Sequence, residues 1–408
     1  MPGNSFLTRQ EFTRETLLIL TNNLKVAPNI HRGYDDQYGV KGAKIGQTLN
    51  IRRPVRFKGR NGQGFAPEGI VETFIPLTLN YQSGVDFEMS SVERKLDMDY
   101  LRERILKPAA VNIANRVDGT LLYLLYQQTG NVVGTPGTVP NSSATYLTAP
   151  QIIHEMGAPV DDELSILISP QMQATIINAV QNLFHDGGQL SRQYKQGKMG
   201  TAWGMEWYED QQIYVHTIGT YGGAPLVNGA NQQGNVLTTD GWNAGSTLNV
   251  GDVIYLSGVF AVNPQPGPNG QPVVYARQQG FVVAAPAVAD GAGNMVIQIG
   301  ADGIIPSGQY QNVNALPADN APITVFGASG TNTPQAMAFH KSAYAMATVP
   351  LEEPGGVEEA FTETDPDTGI SLRYVRQYVA TTDQYANRFD ILWGECATYP
   401  QLATRIAS

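Results

Sequence analysis

A single long helix is predicted from Asp99 to about Thr129. Apolar residues recur along it at helical spacing, and Gly130 follows its end. These residues are Leu101, Ile105, Ala109, Ile113, Val117, Leu121, Leu124 and Leu125. At ~1.5 Å per residue the helix would be about 45 Å long, which few single globular domains need. Pro108 lies inside it and predicts a kink, because its ring removes one backbone hydrogen bond and clashes with the preceding turn.

A short amphipathic arm is predicted ahead of this helix. Thr8 and Glu11 match a capping box, and Leu7 can contact Phe12 across the first turn. The apolar stripe continues through Ile19, Leu20 and Leu24. We expect the arm to end at Pro28.

Residues 33–86 are predicted to form a long two-stranded loop. Glycines and prolines separate short extended runs, of which 48–51 and 74–79 read as strands. No acidic residue lies between Gln37 and Pro67. The basic residues of this stretch are Lys41, Lys44, Arg52, Arg53, Arg56, Lys58 and Arg60. Because long loops are uncommon inside compact domains, we expect this one to pack against something outside its own domain.

Residues 152–221 predict an α/β or α+β unit, followed by an all-β insertion. Residues 164–168 read as a buried strand, and Ser169 with Pro170 begins a helix. From Gly222 to about Gly330 the only basic residue is Arg277. Short strands are predicted at 252–256, 273–275, 280–283, 295–299 and 322–326, with an exposed loop at 263–270. This stretch of roughly 110 residues has the size of a domain.

An acidic tract follows the apolar residues 336–349 and precedes a strand predicted at 372–379. It contains Glu352, Glu353, Glu358, Glu359, Glu363, Asp365 and Asp367, with no basic residue among them. Electrostatic pairing between this tract and the basic loop of another subunit is one interpretation of the two segments. A solvent-exposed loop is the alternative for the basic segment.

Composition argues against several functions. Lys plus Arg number 26 against 36 Asp plus Glu, a net charge of -10, so the molecule as a whole repels polyanions. Only Phe57 and Phe65 accompany the basic residues, which gives little stacking surface for nucleic acid. The single cysteine, Cys396, excludes intramolecular disulfides and is expected to be a packed thiol. Without a signal sequence or a membrane-length apolar run, we expect a soluble protein of a reducing cytoplasm.

No pattern typical of an active site is present, so we expect no enzyme, no cofactor and no metal site. The histidines His31, His154, His185, His216 and His340 are scattered, without metal-ligand spacing. The glycines of residues 59–64 resemble a phosphate-binding loop, but no Lys-Ser or Lys-Thr pair follows them.

The order of these segments resembles the major capsid protein of tailed double-stranded DNA bacteriophages, specifically the short-tailed phage coat-protein type with an inserted β domain. The resemblance covers nearly the whole chain. It lies in residues 99–110, 114–118, 169–172, 183–185, 249–254, 258–264, 338–348 and 392–400.

The resemblance implies an α+β capsid fold divided along the chain. Residues 1–33 would form an amino-terminal arm, 34–86 an extended β loop, and 87–149 a peripheral domain built on the long helix. Residues 150–221 and 335–369 would form an axial domain interrupted by the inserted β domain, 222–334. Residues 370–408 would return to the peripheral domain.

The function implied by the resemblance is structural. Copies of the chain would assemble as hexamers and pentamers with a scaffolding protein and a portal protein into a procapsid in the cytoplasm of the bacterial host. The shell would expand as it encloses DNA, which it would contact non-specifically. A decoration protein is a further possible partner, and no membrane is involved.

Two other functions stay open at this level. A carbohydrate-binding or carbohydrate-active phage structural protein is suggested by the β-rich insertion and the scattered acids, with Trp242 and Tyr255 as test positions. A nucleic-acid-binding protein is the third, which salt-dependent binding to duplex DNA would reveal.

Overall fold

The computed structural model describes residues 9–32, 46–53, 56–57, 59–60, 62–65, 67–70, 72–90, 102–180, 200–267, 271–300, 302–365 and 368–408. Within them the chain is a mixed α+β protein that divides into two compact units. The first unit comprises Met1–Ile51, Phe74–Leu121 and Tyr344–Cys396. The second comprises Arg52–Thr73, Leu122–Ala343 and Ala397–Ser408.

The described α-helices are α1 (Arg9–Asn23), α2 (Lys107–Gln128), α3 (Ser143–Glu155) and α4 (Pro170–Val180). The strands that precede the β-rich region are β1 (Thr48–Arg52), β2 (Phe74–Thr78), β3 (Tyr81–Ser90), β4 (Val132–Gly134), β5 (Leu164–Ile168), β6 (Thr201–Ala202), β7 (Met205–Glu209) and β8 (Val215–Thr217). The β-rich region that follows contains β9 (Gly223–Val227), β10 (Val236–Trp242), β11 (Thr247–Leu248), β12 (Val253–Pro266), β13 (Pro272–Val282), β14 (Ala287–Val288), β15 (Met295–Gln298) and β16 (Ile323–Val325). The remaining strands are β17 (Asn332–His340), β18 (Tyr344–Val349), β19 (Glu359–Thr364), β20 (Ser371–Val379), β21 (Gln384–Ala397) and β22 (Ala403–Ala407).

The long predicted helix is shorter as a regular α-helix than the sequence indicates. Helix α2 begins at Lys107, and Arg102–Leu106 before it is a π-helical turn. Pro108 comes just after this π-helical turn, and its missing N–H and its ring exclude the regular α-helical bond to the carbonyl four residues earlier. The kink at Pro108 stays a prediction, and Asp99 lies outside the described residues. The predicted apolar face is buried at Ala109, Ile113, Val117, Leu121 and Leu125.

Helix α1 also ends earlier than predicted. It stops at Asn23, and Pro28 lies in a separate 3-10 turn, Ala27–Asn29. Leu17 and Leu20 are buried, and α1 packs on β19 and β20 of the first unit. The capping residue Thr8 lies outside the described residues.

A five-stranded sheet organises the first unit. Its order is β18-β21-β20-β19, and β3 pairs with β21 as well. Strand β21 pairs antiparallel with β20 from Gln384 to Asp390 and with β3 as far as Trp393. Ile51, Leu77, Leu79, Leu392 and the predicted buried thiol of Cys396 share one apolar cluster. The strands predicted at 48–51, 74–79 and 372–379 are confirmed.

A seven-stranded sheet organises the second unit. Its order is β4-β22-β17-β5-β7-β6, and β8 pairs with β17. Strand β22 lies between β4, which is parallel to it, and β17, which is antiparallel. The predicted strand at 164–168 is buried throughout, and Ser169 Oγ accepts the Met172 N–H at 3.3 Å to cap α4. Both predictions are confirmed.

The β-rich region of the second unit has its own apolar core. Small sheets β15-β10-β9, β11-β14 and β13-β12-β16 enclose Leu237, Trp242, Ile254, Phe281 and Ile297, with further buried residues between Ile218 and Val325. The strands predicted at 273–275 and 280–283 are one strand, β13. Strand β12 continues to Pro266, so residues 263–266 of the predicted loop belong to a hairpin arm, and residues 268–270 lie outside the described residues. Among the described helices, none combines the length and apolar character needed to span a lipid bilayer.

Candidate assembly interface

The basic loop leaves the body of the chain as a pair of antiparallel strands. Leu79 N donates to Gln47 O at 3.1 Å, and Arg53 N donates to Thr73 O at 2.9 Å. Strands β1 and β2 form this two-stranded sheet. The predicted two-stranded form is therefore confirmed for residues 46–53 and 72–79. Lys41, Lys44 and Lys58 lie outside the described residues.

The base of the loop is attached to the β-rich region within the second unit. Arg53 Nη1 lies 2.7 Å from Asp302 Oδ1, with side chains 17% and 31% exposed. The Arg56 guanidinium carbon lies 5.9 Å from the centre of the Tyr310 ring. Half-buried charged pairs of this kind fix the orientation of a loop more firmly than exposed pairs do. Arg53 and Arg56, predicted to contact another subunit, thus have partners inside the chain.

The outer part of the loop exposes apolar side chains. Phe65 is 90% exposed, and Phe57 and Ile70 are more than half exposed. Arg52 and Arg60 are exposed as well, and Arg52 Nη1 is 3.6 Å from Glu72 Oε2. Large apolar groups in water raise the free energy of an isolated chain, and together they mark a surface suited to protein contact.

The acidic tract is largely satisfied within the first unit. Arg376 Nη2 lies 2.9 Å from Glu358 Oε1 and 3.0 Å from Glu359 Oε1. Glu353 Oε1 accepts the Thr362 N–H at 2.9 Å. Asp365 Oδ2 accepts the Thr368 N–H at 3.1 Å. The tract is therefore not a free acidic arm.

The remaining acids of the tract differ in their exposure. Glu352 is exposed, Glu363 is half-buried on β19, and Asp367 lies outside the described residues. Glu353 and Glu358 are exposed despite their intrachain partners, whereas Glu359 is buried. Pairing of this tract with the basic loop of a neighbour stays a prediction.

Two buried aspartates organise the backbone, and sequence reasoning did not single them out. Asp118 accepts the N–H groups of Lys25, Val26 and Ala27 at 2.6, 3.3 and 3.4 Å. Asp252 Oδ1 lies 2.7 Å from His216 Nε2. Both aspartates lie in segments that carry the family resemblance, 114–118 and 249–254. Membership of these segments was the sequence signal that could have identified them.

The second Asp252 oxygen holds a turn in the β-rich region. Oδ2 accepts the backbone N–H of Asn249 at 2.7 Å and that of Gly219 at 3.1 Å. The Asp252 side chain is fully buried, and the His216 side chain is 5% exposed. A buried carboxylate with this many donors acts as a structural anchor.

One cluster has the residue types of a cation site. Ligand atoms of Asp161, Glu163 and His340 lie within 4.8 Å of one another. His340 Nε2 is 3.1 Å from Asp161 Oδ1, and its Nδ1 contacts Ser342 Oγ at 2.6 Å. Lys341 Nζ lies 3.4 Å from Glu163 Oε1 and offsets its charge. The cluster is explained by these internal contacts, so no metal is assigned to it.

A model of the family described as P22 coat protein, gene protein 5, matches residues 20–405. The chain belongs to the P22 coat protein family. This coat protein has a structural role in the virion capsid, whose shell contains many copies. The resemblance to phage capsid proteins, the α+β capsid fold and the structural function are confirmed.

Solved structures similar to this coat protein include three from phages. A structure of Mycobacterium phage Che8 is 11% identical, with a TM-score of 0.43, covering 94% of this chain and 90% of that one. The capsid structure of cyanophage P-SCSP1u is 9% identical, with a TM-score of 0.44, covering 92% and 88%. The mature capsid of bacteriophage PhiM1 is 11% identical, with a TM-score of 0.40, covering 89% and 82%. A search of curated protein sequences found no match.

One of the two test positions of the carbohydrate-binding alternative, Trp242, is buried in this coat protein. Trp242 is buried in the core of the β-rich region, and its Nε1–H donates to Thr239 Oγ1 at 2.8 Å. An indole in this position has no face available to stack on a sugar ring. Burial of Trp242 thus gives the carbohydrate-binding alternative no support at this position, and that alternative stays a prediction.

Proposed function

We propose that the chain assembles through its basic loop into hexamers and pentamers of an icosahedral procapsid. Assembly takes place in the cytoplasm of the bacterial host with a scaffolding protein and a portal protein. The shell then expands as double-stranded DNA enters it. The chain acts by binding copies of itself and carries out no catalytic reaction.

The exposed apolar side chains of the loop carry this proposal. Phe65, Ile70 and Phe57 lie on one loop within residues 52–73, and burial of one such side chain stabilises by about 1.5–3 kcal/mol. Their exposure in the single chain costs free energy that contact with a neighbouring copy would offset. Shell formation gives each copy such a neighbour.

Assembly of loop variants tests the proposal. Phe65→Ser and Ile70→Ser are expected to leave the circular dichroism spectrum and melting temperature of the single chain unchanged, and to abolish shells in negative-stain images. Val160→Ser is the matched control, because Val160 is 88% exposed in the second unit but lies outside the loop. Normal shells from both loop variants would refute the proposed contact.

The charged side chains of the loop are proposed to contribute less to assembly than its apolar side chains do. Arg52 and Arg60 are the described basic residues of the loop with exposed side chains, so their reversal to Glu is expected to slow assembly without unfolding the chain. Arg53→Glu would instead place two carboxylates together at Asp302 and destabilise the monomer. If Glu352 and Glu353 of a neighbour provide the partner charges, their reversal to Arg should restore assembly of the variant in which Arg52 and Arg60 are both Glu.

The acidic net charge fits an enclosing shell. Each phosphate contact by Lys or Arg adds affinity for DNA, so a basic inner surface would hold the packaged genome too tightly. A net charge of -10 avoids that outcome, and DNA contact is proposed to be non-specific. A decoration protein is a further candidate partner of the outer surface.

The division of the chain proposed from the resemblance also has support. The core of the β-rich region runs from Ile218 to Val325, close to the proposed inserted domain, 222–334. The arm at 1–33, the extended loop at 34–86 and the peripheral segments at 87–149 and 370–408 are assigned with it. Residues 150–221 and 335–369 are assigned to the axial domain.

A further inference from the structure

A small cavity lies at the base of the basic loop, entirely within the second unit. Its volume is about 100 Å³, and its polar walls include Arg53, Arg56, Asp302, Tyr310 and Gln279. A space of this size holds about three water molecules or one small ion. Its walls come from the loop and from the β-rich region.

The charges around the cavity do not balance. Asp302 neutralises Arg53 at 2.7 Å. Arg56 contacts the face of the Tyr310 ring, and among the described residues no carboxylate lies within ion-pair distance of its guanidinium. Burial lowers the pKa of Arg56, since a partly desolvated cation without an anionic partner is disfavoured. The cavity therefore has one positive charge in excess.

Unpaired polar atoms accompany this charge. Tyr310 OH, Arg53 Nε and Gln279 Oε1 are buried without a hydrogen-bond partner in the part of the chain that the structure describes. Buried donors without partners are costly, and two of these three atoms are donors. Arg56 and Tyr310 thus supply a cation and a hydroxyl donor at one cavity.

We infer that this cavity binds a single carboxylate group, with the Arg56 guanidinium as its counter-charge and the Tyr310 hydroxyl as a second donor. A guanidinium lying over a ring keeps its N–H edge free, and that edge matches the two oxygens of a carboxylate. One excess positive charge matches a monoanion, whereas Asp302 repels the second charge of a phosphate. The carboxylate belongs either to a small acid in solution or to an acidic side chain of a second copy. The latter source rests on the proposed function.

Acetate is the probe for the site itself. Titration of the unassembled full-length chain, followed by ligand-detected NMR, gives its affinity. Arg56→Met is expected to weaken acetate binding about tenfold or more, as loss of a charge-assisted hydrogen bond does, and Tyr310→Phe a few-fold. Arg60→Met removes an exposed charge from the same loop outside the cavity and should bind acetate like the wild type.

Two results of that titration overturn the inference. One is equal acetate affinity of the Arg56→Met variant and the wild type, with circular dichroism showing both folded. The other is tighter binding of inorganic phosphate than of acetate by the wild type at the same ionic strength. If Arg56→Met fails to fold, Tyr310→Phe provides the test instead. Equal acetate affinity of Tyr310→Phe and the wild type would also overturn the assigned donor pair.

Shell assembly distinguishes the two sources of the carboxylate. If a second copy supplies it, acetate at saturation slows wild-type assembly relative to chloride at equal ionic strength, and Arg56→Met assembles slowly whether or not acetate is present. If acetate binds through Arg56 but leaves the assembly rate unchanged, the ligand is a small carboxylate in solution. Failure of the proposed function would appear separately, as a wild-type chain that forms no shells in either salt.

Discussion

The Asp118 carboxylate accepts the backbone N–H of Lys25 at 2.6 Å, which joins α2 to the turn after α1. Val26 and Ala27 donate to the other oxygen of the same carboxylate. Asp118 is 3% exposed, and these backbone donors stabilise its negative charge. This side chain on the long helix therefore anchors the turn that follows α1.

Asp118→Ala is expected to lower the free energy of unfolding by about 2–4 kcal/mol, because three N–H groups, two of them buried, lose their acceptor. Urea denaturation of the unassembled chain measures this change. Asp86→Ala is the control: Asp86 pairs with Arg388 at 2.8 Å on an exposed surface, so its loss should cost less than about 1 kcal/mol. Equal effects of the two substitutions would contradict the assigned role.

Asp252→Ala is expected to loosen the β-rich region. The substitution leaves buried His216 and two buried N–H groups without their acceptor, at a cost of about 3 kcal/mol. Amide hydrogen exchange in β12 should become faster, as measured by mass spectrometry. Asp290→Ala removes an exposed loop carboxylate instead and should leave exchange in β12 as it is. Unchanged exchange in the Asp252 variant would count against the anchor.

Glu395→Gln is expected to alter the pH dependence of stability. Burial raises the pKa of the Glu395 carboxyl from its ordinary 4.5 to about 8. Because the folded-state pKa is the higher one, the wild type loses stability as pH rises from about 4.5 to about 8. The free energy of unfolding of Glu395→Gln relative to that of the wild type should rise over that pH range, by on the order of a few kcal/mol, and stay constant above it.

Urea midpoints between pH 4 and pH 9 measure that difference. Asp86→Asn should show the opposite pH dependence of stability, since the hydrogen bonds from Arg388 hold the pKa of Asp86 below its ordinary 3.8. Its loss of stability should be present at neutral pH and disappear in acid. Parallel curves for the wild type and Glu395→Gln would show that the carboxyl is not desolvated.

Gly84→Ala is expected to destabilise the first unit by about 1–3 kcal/mol or more, because overpacking between paired strands displaces backbone. A Cβ at Gly84 would overlap the carbonyl oxygen of Phe389 on β21. Gly64→Ala on the outer loop has open space around the new methyl group and should be neutral. Thermal melting of both variants makes the comparison, and a neutral Gly84→Ala would require β3 to move away from β21.

Local signals in the sequence predicted local structure well. The Ser169 cap, the Pro170 start of α4 and the buried strand at Leu164–Ile168 depend on neighbouring residues, and all three are confirmed. The sequence pattern predicts two strands in place of β13, because Arg277, Gln278 and Gln279 interrupt the apolar residues. Pairing with β12 keeps these polar residues in the strand, and a sequence pattern does not reveal such pairing.

Charge partners could not be read from the chain in the same way. Glu359 faces Arg376 because β19 and β20 pair in one particular register. Arg53 meets Asp302, a residue 249 positions away. Arg53 and Glu359 have partners inside the chain for this reason, and contact of the two charged segments with another subunit stays a prediction. The alternative of a solvent-exposed loop fits Arg52, Arg60 and Phe65, which are exposed. The cavity beside Arg56 required the fold.

Strand β22 fills the place between β4 and β17 in the largest sheet of the second unit. During translation, β4 leaves the ribosome long before β22 exists, on the order of tens of seconds earlier at ~5–20 residues per second. Over that interval β4 has no native strand partner, and the facing edge of β17 also lacks one from the time β17 is made until β22 is made. Nascent copies at high density are therefore most open to chaperone binding, or to pairing with each other, until β22 has been made.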